Sequence, residues 1–109
     1  MKVMLYALLD NGAGTETLLR DLSGKGFNGT VLPASSVHHA LNHGNPGTAV
    51  FSLADYAEDV KGPSLMALFV LDKKKLPELQ SVIRAYTEDF KKIHGGMFVV
   101  SIDEMEGSF

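Results

Sequence analysis

The sequence predicts a single α+β domain spanning residues 1–109, and three observations predict it. Two strand–helix–strand units stand at the two ends of the chain. Within each, apolar runs of strand length alternate with stripes of helical period. A long connection containing histidine, asparagine, glycine and proline separates them. The resulting order, βαββαβ, is that of a split βαβ or ferredoxin-like sandwich. Two helices cover one face of a four-stranded antiparallel sheet, with a long loop between the second and third strands.

Each element has its own signal. Residues 3–9 (VMLYALL) are apolar without alternation, the pattern of an inner strand. Asn11-Gly12-Ala13-Gly14 breaks that run, and Thr15 has the side chain of a helix N-cap. The helix expected over 15–25 puts Leu18, Leu19 and Leu22 on one face and stops at Ser23-Gly24-Lys25-Gly26. Residues 27–33 carry Thr30, Val31 and Leu32 in β-favouring chemistry, with Pro33 marking an edge or a strand end.

Residues 34–63 form a connection far longer than the roughly two to five residues of a plain hairpin. Val50, Leu53, Ala57 and Val60 share a helical face, while 49–53 equally suit a strand; the residues do not decide between the two. Its composition makes 36–62 the stretch expected to be most mobile. Residues 65–71 are then an unbroken apolar run. A helix over 75–93 follows, with Leu79, Val82, Ile83, Tyr86 and Phe90 on one stripe. Asp72 and Pro77 mark its start, and His94-Gly95-Gly96 its left-handed end, before a last strand over 97–102.

Composition excludes several function classes. Hydrophobic residues are 45% and charged residues 21% of the chain, which is a folding composition rather than a disordered one. A net charge of −3 gives no electrostatic reason to expect a nucleic-acid partner. With no cysteine there are neither disulfides nor thiolate metal sites. The first apolar run ends at Leu9, too short for a signal segment or a membrane span, so a cytoplasmic protein without membrane insertion is expected. Apolar strands in an open-faced sandwich leave apolar surface that a second copy would bury.

Few side chains point to chemistry. Gly95-Gly96, preceded by Lys91, Lys92 and His94, has the residues of an anion cradle, but those of ordinary helix capping are the reading the residues favour. His38, His39 and His43 form a cluster in which His39 and His43 would share a helical face, a spacing that chelates a divalent transition metal, but Asn42, Gly44, Asn45, Pro46 and Gly47 disfavour a helix there. Lys73-Lys74-Lys75 reads as a solvated turn. Asp55, Glu58 and Asp59 have no partnering base or nucleophile. No hydrolase triad, phosphate-binding Walker loop or dinucleotide fingerprint is present, and a non-enzyme is expected.

Asn28-Gly29-Thr30-Val31, the strand and helix SLMALFVLDKKKLPELQSVIRAYTEDFKKI, and HGGMFVVSI together resemble the PII and PII-like signalling family. The resemblance implies a homotrimer whose inter-subunit clefts bind a small effector such as an adenine nucleotide, and a mobile loop, here 36–62, that reports ligand state to a partner protein. It assigns the base contact to Thr30, the loop root to Ser35 and Ser36, and the phosphate turn to Gly95 and Gly96; Lys91 or Lys92 would have to supply the charge that Met97 does not. Two departures stand out. Met97 and Phe98 follow the glycines where the family has a lysine, and the chain continues as the acidic DEMEGSF, which repels a triphosphate. The alternative is a metal- or small-metabolite-binding trimer of CutA or ACT type, with His38, His39 and His43 as ligands.

Overall fold

The computed structural model describes residues 1–37, 41 and 63–109. The elements are β1 (Lys2–Asp10), α1 (Ala13–Gly24), β2 (Thr30–Ala34), β3 (Ser64–Asp72), a 3₁₀ turn (Lys73–Lys75), α2 (Leu76–Thr87) and β4 (Gly95–Ser101). The strands form one antiparallel sheet in the order β2-β3-β1-β4. Each strand–helix–strand unit is therefore split by a strand from the other, and the fold is the ferredoxin-like α+β sandwich. The expected 36–62 loop falls almost wholly on residues outside those described.

Register sorts the side chains into two faces. Val3, Leu5, Ala7 and Leu9 on β1 and Ala67, Phe69 and Leu71 on β3 are buried with Leu18 and Leu22 of α1 and Leu79 and Ile83 of α2. Each such side chain contributes roughly 1.5–3 kcal/mol by leaving water. The opposite face carries the alternate residues. Along one row run Phe98, Tyr6, Leu68 and Thr30; along the next, Gly96, Leu8, Met66 and Leu32. No helix covers it. The unbroken apolar run of β1 thus serves a core on one side and an open apolar surface on the other. There Tyr6 and Phe98 stack with ring centroids 4.7 Å apart.

The helix ends depart from the sequence reading in two places. Gly12, not Thr15, is the N-cap of α1. Thr15 is buried within the first turn, and its hydroxyl donates to the Asp10 carbonyl, tying the helix to the end of β1. More consequentially, α2 stops at Thr87, well before the glycines. Glu88, Asp89 and Phe90 then take φ of 50°, 55° and 64°. A left-handed turn of three non-glycine residues costs roughly 1–2 kcal/mol per residue, and its neighbours offset that cost. The buried Thr87 hydroxyl donates to the Ile83 carbonyl and accepts the Phe90 N–H. The Thr87 carbonyl accepts the Lys92 N–H at 2.9 Å, and the Asp89 N–H reaches the Arg84 carbonyl at 3.1 Å. Phe90 and Ile93 still pack on the core, so the apolar stripe was real although the backbone that carries its last residue is not helical.

Candidate functional site

The strand directions fix where each candidate residue lies. β1 and β2 rise toward the end of the sheet that holds Asp10 and Ala34; β3 leaves from that end at Ser64, and β4 leaves from it at Gly95. Ser35 and Ser36 follow β2 there, and Lys91, Lys92 and Gly95 approach β4 there. Ser35, Ser36, Gly95 and Gly96 consequently share one end of the sheet, with Thr30 lower on the open face of β2.

They do not share an edge. β2 and β4 are the two outer strands, with β3 and β1 between them. Three strand spacings separate them by about 14 Å. Within one chain, therefore, Thr30, Ser35 and Ser36 do not meet the Gly95-Gly96 end of β4. Sequence order conceals this separation, because it does not reveal sheet order.

The two glycines have different roles, and neither forms the expected helix-ending turn. Gly95 has φ +148°, and a Cβ there would lie 1.8 Å from the Leu8 carbonyl oxygen. Its lack of a side chain is required by its close approach to β1. Gly96 has no atom within 4 Å of an added Cβ and no positive φ, so the fold does not require glycine at this position.

Lys91 and Lys92 are exposed and lie on the segment after the left-handed turn rather than on α2. Lys92 lines a cleft of about 250 Å³ with Asp10, Gly12, Gly14, Thr15 and Ile93. α1 starts there with no side-chain cap. The first N–H groups of a helix and the positive end of its dipole favour an anion, as an ammonium does. Gly12 and Gly14 line this cleft, Gly14 against Ile93, and the sequence reading did not single them out; the glycines of Asn11-Gly12-Ala13-Gly14 at the start of a helix were their signal. A larger groove of about 860 Å³ runs beside α1, lined by residues that include Glu16, Leu19, Arg20, Pro63 and Leu65.

His38, His39 and His43 lie outside the described residues. Among the described residues, no group of three or more His, Asp or Glu side chains is arranged to hold a metal, and no helix is long and apolar enough to cross a membrane. Two carboxyl groups are held below the ordinary carboxylate range. Asp21 accepts hydrogen bonds from Lys25 and Tyr86, and Asp72 accepts the Lys74 backbone N–H. Both belong to helix ends rather than to the candidate site.

No family model and no curated protein matches the chain. Among solved structures, it is similar to a functionally unknown protein from Pediococcus pentosaceus, with a TM-score of 0.59 over 98% of this chain and 97% of that one. Their sequence identity is 11%, so the likeness is one of fold.

Proposed function

We propose that this protein is a PII-like regulatory protein. It binds a small anionic effector, an adenine nucleotide or a related molecule, in clefts between the copies of a homotrimer, and signals to a partner protein through the 36–62 segment. The observation that carries this reading is the split of the candidate residues. Thr30, Ser35 and Ser36 lie on one edge of the sheet and Gly95, Gly96, Lys91 and Lys92 at the other, so a site using both sets is built only where two copies meet. The open apolar face supports association, and Lys92 beside the uncapped start of α1 supports an anion.

A thermal-shift panel of adenine nucleotides, cyclic dinucleotides and divalent metals tests this. A ligand at about a hundred times its dissociation constant adds roughly 2.7 kcal/mol of stability, readable as a rise in Tm. The reading expects a rise with an adenine-containing anion that is lost on replacing Lys91 and Lys92 by alanine. A response to divalent metals alone refutes it in favour of the histidine-based alternative.

A further inference from the structure

We propose that residues 88–96 form a two-state element. One state is the left-handed turn described above; the other continues α2 to Ile93 and swings on Gly95-Gly96. The state occupied decides where Lys91 and Lys92 stand, so an anion held by them selects between the two, a coupling that rests on the function proposed above. The apolar stripe of α2 runs on past the end of the helix. Leu79, Ile83, Tyr86, Phe90 and Ile93 are separated by 4, 3, 4 and 3 residues, the spacing of one helical face carried six residues beyond Thr87. Glu88 to Ile93 contain no glycine or proline to stop a helix. In the turn, Phe90 and Ile93 also pack on the core, so the two states differ in backbone rather than in their anchors.

Hydrogen bonding does not separate them. In the turn, the Glu88 and Asp89 N–H groups donate to the Arg84 carbonyl, Phe90 to the Thr87 hydroxyl, Lys91 to the Glu88 carbonyl, and Lys92 and Ile93 to the Thr87 carbonyl. A continued helix satisfies the same N–H groups. The turn carries in addition the strain of three consecutive non-glycine residues at positive φ, which a helix removes. In exchange it docks the start of β4: the Asp10 N–H donates to the His94 carbonyl at 3.0 Å, and Gly95 and Gly96 pair with Leu9 and Leu8. Six helical residues advance about 9 Å, whereas here the Ile93 N–H is folded back on the Thr87 carbonyl at 3.5 Å. Continuing the helix therefore detaches His94 and Gly95 from β1. β4 is an outer strand, so its first residues leave without opening the sheet. Gly96 acquires a reason here: neither packing nor φ requires a glycine at that position, but a hinge uses one, because glycine crosses freely between backbone regions.

The lysines change place between the states. In the turn, Lys92 lines the cleft with Asp10, Gly12 and Thr15. On a continued helix it stands about 200° around the axis from Phe90, on the side away from the core, and leaves that cleft. An anion bound in the cleft is held by the turn and not by the helix, and that difference in affinity shifts the equilibrium.

Two variants of equal charge separate the states. E88A/D89A and E88G/D89G each remove two exposed carboxylates close to Lys91 and Lys92, so the core is untouched and any electrostatic gain for an anion is the same in both. Alanine favours the helix and is strained at positive φ; glycine favours the left-handed turn. In NMR spectra of the full-length protein, E88G/D89G should keep the strong intraresidue Hα–HN contact of Phe90 that marks positive φ. E88A/D89A should instead show the Hα-to-HN contacts from Thr87 to Phe90 and from Phe90 to Ile93 that mark a helix, with faster exchange of the Asp10 amide. By calorimetry, ATP should bind E88A/D89A on the order of tenfold more weakly than E88G/D89G, and saturating ATP should restore the turn contacts. An unchanged turn in E88A/D89A, or a segment that frays with neither set of contacts, would overturn the two-state element. Equal ATP affinity in the two variants would overturn its coupling to the anion. Wild-type protein that takes up no ATP would refute the adenine reading of the site, and the NMR contacts alone would then decide the element.

Discussion

Replacing Gly95 and Gly96 separately by alanine should give opposite effects on stability, although the two residues are adjacent. At Gly95, the new methyl would sit 1.8 Å from the Leu8 carbonyl oxygen and 2.8 Å from its carbon. Because both are backbone atoms of the central strand, no side-chain rotation relieves the clash. β4 would have to withdraw by more than an ångström at its first residue, weakening the ladder where Leu9 faces Gly95. One or two hydrogen bonds at about 1 kcal/mol each, plus about 1–2 kcal/mol for an L-residue at positive φ, give a loss of roughly 2–4 kcal/mol. For a domain of this size, that is on the order of 10–15 °C in Tm. At Gly96, nothing lies within 4 Å and φ is ordinary, so alanine should be neutral or stabilising by up to about 1 kcal/mol. Urea and thermal unfolding followed by circular dichroism measure both. Equal losses at the two positions would refute the assignment of Gly95 to strand packing and of Gly96 to open space.

Four further outcomes follow from the left-handed turn and the shifted carboxyl groups. Thr87→Val keeps the side chain's shape but removes a buried hydroxyl that donates to Ile83 and accepts from Phe90, so a loss of about 1–3 kcal/mol is expected in urea unfolding. Asp89→Gly should raise Tm by a few degrees, since relief of about 1–2 kcal/mol at positive φ exceeds the roughly 0.5–1 kcal/mol entropic cost of a glycine. Asp21 is held down first by Lys25 and then by Tyr86, so Tyr86→Phe should move its carboxyl midpoint upward in an NMR titration. Asp72 should titrate below the unfolded carboxylate value of about 3.9. Its depressed folded pKa means its contribution is full above that value and is lost as pH falls through the folded one.

Much of the fold was legible because burial leaves a period in the sequence. The four strands and the leucine face of α1 were readable from apolar runs, turn residues and helix signals alone. Periodicity, however, reports which side chains are buried, not which backbone carries them. Phe90 continues the stripe of α2 and packs on the core from a left-handed turn, and Glu88-Asp89-Phe90 has no residue pattern that announces three positive φ values. Thr15 has capping chemistry but spends its hydroxyl on Asp10 from inside the helix. The candidate site was legible as residue types and not as a place. Thr30 and Gly96 are separated by two strands that sequence order does not position, and the Gly12 and Gly14 cleft beside Lys92 exists only once α1 and the approach to β4 are packed together.

The central claim, a ligand site shared between copies, is tested most directly by subunit mixing. One variant carries T30V with S35A and S36A, the other K91A with K92A, and ATP binding is measured by calorimetry for each alone and after exchange of subunits. If every site takes one edge from each of two neighbouring copies, neither variant binds alone, and random exchange restores about a quarter of the wild-type stoichiometry. Wild-type protein that binds no ATP, or a mixture that recovers no sites while wild-type protein binds, would contradict the account.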